Sequence, residues 1–119
     1  MNKIILMASA LALTACQAPM PNIAKHCEGA VLQALTSPGS YDRQDFTHLD
    51  MMDEVWLTFD SQNGMGGLLR NTAKCQYQTN DENQVELASM SIGATEFSYE
   101  QTRLFAIQAN LRSPVAGFR

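Results

Sequence analysis

Behind a lone cation at Lys3, the ten residues from Ile4 to Leu13 carry no charge, and the chain then turns polar at Gln17, Pro19, Pro21 and Asn22. No other feature limits the fold as much. A helix that crosses a bilayer needs about 20 apolar residues, so this run is too short to span one. A positive start, a short apolar stretch and the small Thr14 and Ala15 after it have instead the layout of an export signal. On that reading the first 15 residues of the 119 take no part in the mature fold, and 104 remain. That length suits one small domain with one modest core.

The stretch Leu13-Thr14-Ala15-Cys16 resembles the lipidation box of bacterial lipoprotein precursors. The resemblance covers residues 1 to 16. It implies cleavage before Cys16, a diacylglyceryl group on its thiol and acylation of the freed amine. Several acyl chains on one residue anchor stably, where a single chain binds only marginally. In that family a residue other than Asp after the cysteine, here Gln17, implies delivery to the outer membrane of a Gram-negative cell, facing the periplasm. An ordinary signal peptide or a buried helix are the competing readings. The division expected is a signal peptide at 1–15, a lipidated N-terminus and short tether at 16–21, and a single domain at 22–119.

Charge narrows the partners. All 12 acidic residues follow Cys16 while Lys3 is removed, which leaves 7 Lys and Arg and a mature net charge of about −5. An acidic chain without a run of Lys and Arg is a poor nucleic-acid binder and a poor match to an anionic membrane face. Its expected membrane contact is the bilayer reached through acylated Cys16. With Cys16 lipidated, Cys27 and Cys75 are the two remaining cysteines, the number needed for one disulfide in an oxidising envelope. The rival role, a reactive or metal-binding thiol, lacks a CxxC. The neighbours His26 and Cys27 would also project about 100° apart on a helix.

Hydrophobic phase outlines the elements. Asn22 is placed to cap a helix whose apolar positions are Ile23, Cys27, Ala30, Val31, Ala34 and Leu35. Gly29 weakens it slightly, and Ser37-Pro38-Gly39-Ser40 ends it in a turn. A short strand is expected around Phe46 to Leu49. Val55, Leu57 and Phe59 then alternate with Trp56, Thr58 and Asp60 in strand period. After a turn at 61–67, Leu69, Asn71, Ala73, Cys75 and Tyr77 share one face of the next strand, opposite Arg70, Thr72, Lys74 and Gln76. Cys27 and Cys75 thus both point to the core side. A further strand at Val85 to Ile92 alternates imperfectly, as a bulged strand or one covered on both sides would. Ser98 and Gln101 form a capping-box pattern, and Leu104, Ile107 and Leu111, with Phe105 beside them, make a stripe before Pro114 that is expected to face the core, with a partner groove or a membrane surface as the alternatives. The class expected is α+β: a small antiparallel sheet of three to four strands with an N-terminal and a C-terminal helix.

Cys27, Ser37-Pro38-Gly39-Ser40-Tyr41, Phe59-Asp60-Ser61-Gln62-Asn63-Gly64, Gly66, Arg70 and Cys75 together are similar to a pattern in small exported bacterial proteins of uncharacterised function. The resemblance spans residues 23 to 78. It implies a helix on a sheet and no particular reaction. The acidic segment from Asp50 to Glu54 and the C-terminal helix depart from it.

Each candidate site has a plain structural rival. Gly64-Met65-Gly66-Gly67 matches neither GxGxxG nor GxxxxGK[ST], and Asn63-Gly64 suits a hairpin turn that needs φ > 0, so no cofactor is expected there. If the hairpin meets a partner, Trp56, Met65 and Arg70 are the contact set, because aromatic residues, Met and Arg are enriched at interfaces. Asp50, Asp53 and Glu54 lack the spacing of an EF-hand and read as a solvated loop. His26 and His48 offer bases without GxSxG or HExxH, and read as surface or packing residues. The expected function is a non-catalytic envelope lipoprotein that binds another protein. An envelope-acting enzyme without a recognisable motif, or a carrier of a small ligand or metal, are the other classes.

Overall fold

The computed structural model describes residues 19–118; Cys16, the expected export signal and the start of the expected tether lie outside them. Helix α1 (Asn22–Ala34) is followed by strands β1 (Asp42–Leu49), β2 (Glu54–Gln62), β3 (Leu68–Thr79), β4 (Val85–Ile92) and β5 (Thr95–Glu96), then helix α2 (Tyr99–Arg112). The class is α+β as expected, with five strands where three to four were anticipated. Each strand pairs antiparallel with the next, in the order β1-β2-β3-β4-β5. The extra strand is the two-residue β5, formed after Gly93 turns the chain with φ 58°. Among the described residues, no helix is long and apolar enough to cross a membrane.

Both helices lie on one face of the sheet. Val55, Leu57 and Phe59 of β2, Ala73, Cys75 and Tyr77 of β3, and Leu87 and Met90 of β4 turn inward and are buried against them. Leu87 and Met90 both face the core because β4 carries a bulge: Gln76 pairs with Ser89 while the next residue, Tyr77, pairs with Leu87. Ala88 is the extra residue, which accounts for the broken alternation. From α1, Ala24, His26, Cys27, Ala30 and Val31 are buried. Cys27 is bonded to Cys75 with the Cα atoms 6.0 Å apart, so the helix and strand phases of the two cysteines meet.

Three local expectations are corrected. Asn22 is the first residue of α1, not its cap; Pro21 holds that place in extended conformation, and its carbonyl accepts from Lys25 N at 3.0 Å. In the β2–β3 turn the positive φ falls at Gly66 (84°), not at Gly64. Asn63 works through its side chain, accepting from Met65 N and Gly67 N at 2.9 Å each. The third correction is the face of α2. Leu104, Ile107 and Leu111 are 64, 43 and 75 % exposed, whereas Thr102, Ala106 and Ala109 are buried. Small residues win that face because the helices pack closely: a Cβ on Gly29 would stand 3.1 Å from the Ala109 Cβ. The Ser98–Gln101 capping box forms as expected, with both bonds at 3.2 Å.

Candidate functional site

The face of the sheet away from the helices carries the main concentration of directed polar and aromatic chemistry. Directly opposed residues on antiparallel strands share a face, so the register lines up transverse rows. One row runs Thr47, Trp56, Lys74, Ser91 and Glu96, one residue from each strand. The row beside it runs Leu49, Glu54, Gln76 and Ser89. Leu49 and Trp56 apart, these residues are the polar half of each strand's alternation.

Hydrogen bonds fix the two rows to each other. The Trp56 indole Nε1 donates to Glu54 Oε1 at 2.6 Å, and Gln76 Nε2 donates to Glu54 Oε2 at 3.3 Å. Ser89 Oγ then donates to Gln76 Oε1 at 2.7 Å. Glu54 is thereby buried to 5 % exposure on a face that no helix covers. The Lys74 ammonium lies over the Trp56 ring, 5.5 Å from its centroid, within cation–π range. Trp56 stays 38 % exposed. A held indole of this kind offers apolar area with little rotamer entropy left to lose on binding. Beside it lies a shallow depression of about 470 Å³ lined by Trp56, Thr72, Lys74, Ser91 and Glu96.

The expected contact set is strung along one hairpin and does not converge. Arg70 points to the same face as Trp56 but two alternations along the strand, roughly 13 Å away. It is committed to Asp60 by two bonds, Nε to Oδ1 at 2.8 Å and Nη2 to Oδ2 at 3.1 Å. That hydrogen bonding holds the Asp60 carboxyl below its ordinary range and raises Arg70 above its own. Met65 sits at the hairpin tip, 96 % exposed. The sequence marks Trp56 but not its partners Glu54 and Lys74, nor Gln76, which holds Glu54. The strand alternation was the signal, and it lacked only the register.

The remaining candidates resolve into structural roles. His26 is buried: its Nε2–H donates to the Ala106 carbonyl at 2.9 Å, so Nδ1 accepts from Tyr77 Oη at 2.6 Å. Burial lowers its pKa, partly offset by the Ala106 bond. His48 Nδ1 meets Asp50 Oδ1 at 3.0 Å. Asp53 closes the β1–β2 turn at φ 47°, and Glu54 faces Trp56. Among the described residues, no three His, Cys, Asp or Glu stand where they could hold a metal ion. Cys16 lies outside the described residues. No protein-family model matches the chain, and neither a curated protein nor a solved structure matches it.

Proposed function

We propose that the mature protein is a lipid-anchored lipoprotein of the bacterial envelope that works without catalysis, binding another envelope protein through the open face of its sheet. In a Gram-negative host its place is the outer membrane, facing the periplasm. The lipidation box at Leu13-Thr14-Ala15-Cys16 supports the anchor. The observation that carries the binding role is the pre-ordered row around Trp56, with the indole fixed by Glu54, flanked by Lys74 and exposed at the centre of an uncovered sheet. Interface hot spots are enriched in Trp and sit near the centre of the patch, within a polar rim. Met65 and Arg70 lie farther out along the same hairpin, beyond this patch.

The test is chemical cross-linking in intact envelopes followed by capture of the full-length protein. Wild type should hold one stoichiometric partner, and Trp56→Ala should weaken that capture at least about tenfold, the scale of a hot-spot truncation. The melting temperature of the variant should change little. Equal capture by wild type and Trp56→Ala would overturn the assignment of this face.

A further inference from the structure

We infer that the outer face of α2, with the groove between α1 and α2, is the side of the domain that rests on the lipid bilayer; this rests on the anchor at Cys16 proposed above. The two helices run parallel, since His26 meets Ala106 and, one turn further along both, Gly29 meets Ala109. The start of α1 therefore lies beside the first turn of α2. Cys16 is six positions before Asn22, a reach of at most about 20 Å. From the level of Thr102, Leu111 is about 14 Å along the helix. The whole stripe of Leu104, Ile107 and Leu111 is thus within the span of the tether.

The stripe is a narrow apolar strip on the exposed side of α2, opposite the small residues Ala106 and Ala109 that pack inward. At about 100° per residue its three side chains fall within an arc of about 60°. Arg103 flanks that arc on the Ile107 side, while Gln108 and then Arg112 flank it on the Leu104 side. Glu100 ends the line in the first turn, where the helix dipole favours its charge. Apolar contact therefore covers the two turns from Leu104 to Leu111. Arg112 beside the stripe can reach the headgroup level while its stem stays apolar, whereas Arg103 turns its guanidinium Nη1 inward, where it is buried.

Gln108 and Arg112 also form one wall of the groove between the helices, about 310 Å³, whose other charged residues are Lys25, Glu28 and Arg43. Arg43 is paired with Glu28 at 3.0 Å. Lys25 and Arg112 have no ion pair among the described residues. Two uncommitted cations next to an apolar stripe complement lipid phosphates. A second copy of the chain fits the stripe poorly: two turns of one helix offer far less than the roughly 800 Å² per partner of a stable interface. Lys25, Arg43 and Arg112 are scattered along the chain, which is why the sequence shows no basic cluster. The fold gathers them on one side. With α2 against the lipid, Trp56 on the opposite face of the sheet points away from the membrane and toward a partner.

Trp56 is the only tryptophan, so it serves as the internal control. Full-length wild type and Leu111→Trp are purified from envelopes, the Cys16 peptide is checked by mass spectrometry for acyl chains, and both are placed in vesicles of phosphatidylcholine and phosphatidylglycerol containing brominated acyl chains. Acylated Leu111→Trp should lose about half its added emission or more, as expected at a depth of roughly 5–10 Å, while wild-type Trp56 is unquenched. Adding Lys25→Gln and Arg112→Gln should reduce that quenching, and no reduction would overturn the cationic part of the assignment. Acylated Leu111→Trp with unquenched emission would overturn the lipid-facing side, as would a copy-to-copy cross-link that shields position 111 from the bromines. A Cys16 peptide without acyl chains would instead remove the anchor itself.

Discussion

His26 joins three elements through one imidazole. It lies on α1, donates to the α2 backbone at Ala106 and accepts from Tyr77 of β3, with the Phe118 ring 4.9 Å away. The adjacent Cys27 turns about 100° away toward the sheet and is also fully buried. Neighbours on a helix can both be buried only when the helix is covered on two sides, by the sheet and by a second helix. Helical periodicity does not separate a surface from a packing role for His26, because it marks a single buried face. The neutral ring has a consequence for pH. Its folded pKa is lowered by burial, so below its ordinary value near 6.5 the unfolded chain binds more protons than the folded one. The stability associated with neutral His26 is complete above that pH and is lost as the pH falls through the window beneath it. His26→Gln, which can still donate to the Ala106 carbonyl, should cost roughly 1–3 kcal/mol at pH 7. It should also show a smaller drop in melting temperature from pH 7 to pH 5 than wild type. Parallel pH profiles for the two proteins would contradict this account.

At the scale of elements, the sheet was legible and α2 was misread. Strand period placed β2, β3 and β4, because alternation responds directly to a sheet with one covered face, and the broken alternation of β4 left a bulge and a strand covered on both sides as alternatives, of which the bulge forms. Helix α2 has its large apolar residues on one side and its small ones on another, and the close approach to Gly29 selects the small ones. An apolar stripe marks a surface that is sticky, and the choice between core and bilayer depends on what space the neighbouring helix leaves. The two long hairpin turns share one construction. In both Asn63–Gly67 and Asn80–Gln84 the first residue is Asn, whose Oδ1 accepts from the third and fifth backbone N–H groups at 2.9 Å. The fourth residue has positive φ, Gly66 in one and Asn83 in the other, as in a type I turn followed by a bulge. A non-glycine residue pays roughly 1–2 kcal/mol for that conformation, less for Asn. Gly66→Ala should therefore destabilise by about 1 kcal/mol and Asn83→Gly should stabilise by a few tenths to about 1 kcal/mol. Urea unfolding of the two variants checks the pair, and opposite signs are the expected result.

At the scale of the whole molecule, short turns between successive antiparallel strands lead to a simple meander, since consecutive strands usually lie side by side. The rows on the open face follow from that order together with the turn lengths. Sequence alternation therefore identified which residues point outward, such as Trp56 and Lys74, without identifying which stand opposite each other. The disulfide was legible because two separate periods, helical at Cys27 and strand at Cys75, both turned inward. It closes a loop across a sequence separation of 48, enclosing β1, β2 and the turns between them, and leaves β4, β5 and α2 outside. The order of stabilisation follows from that loop. Constraining the unfolded chain over 48 residues contributes about 4 kcal/mol on the chain-entropy account, against a total of roughly 5–15 kcal/mol for a domain. Because α1 and α2 also hold each other at Gly29 and at His26, the helices should stay paired on the sheet at low temperature without the bond. The Cys27→Ala/Cys75→Ala variant should then keep its far-ultraviolet circular dichroism at 10 °C yet melt roughly 15–30 °C lower than wild type. Reductant should lower the wild-type melting temperature by a similar amount and leave the variant unchanged, whereas a wild-type melt indifferent to reductant would show that the bond does not carry this share of the stability.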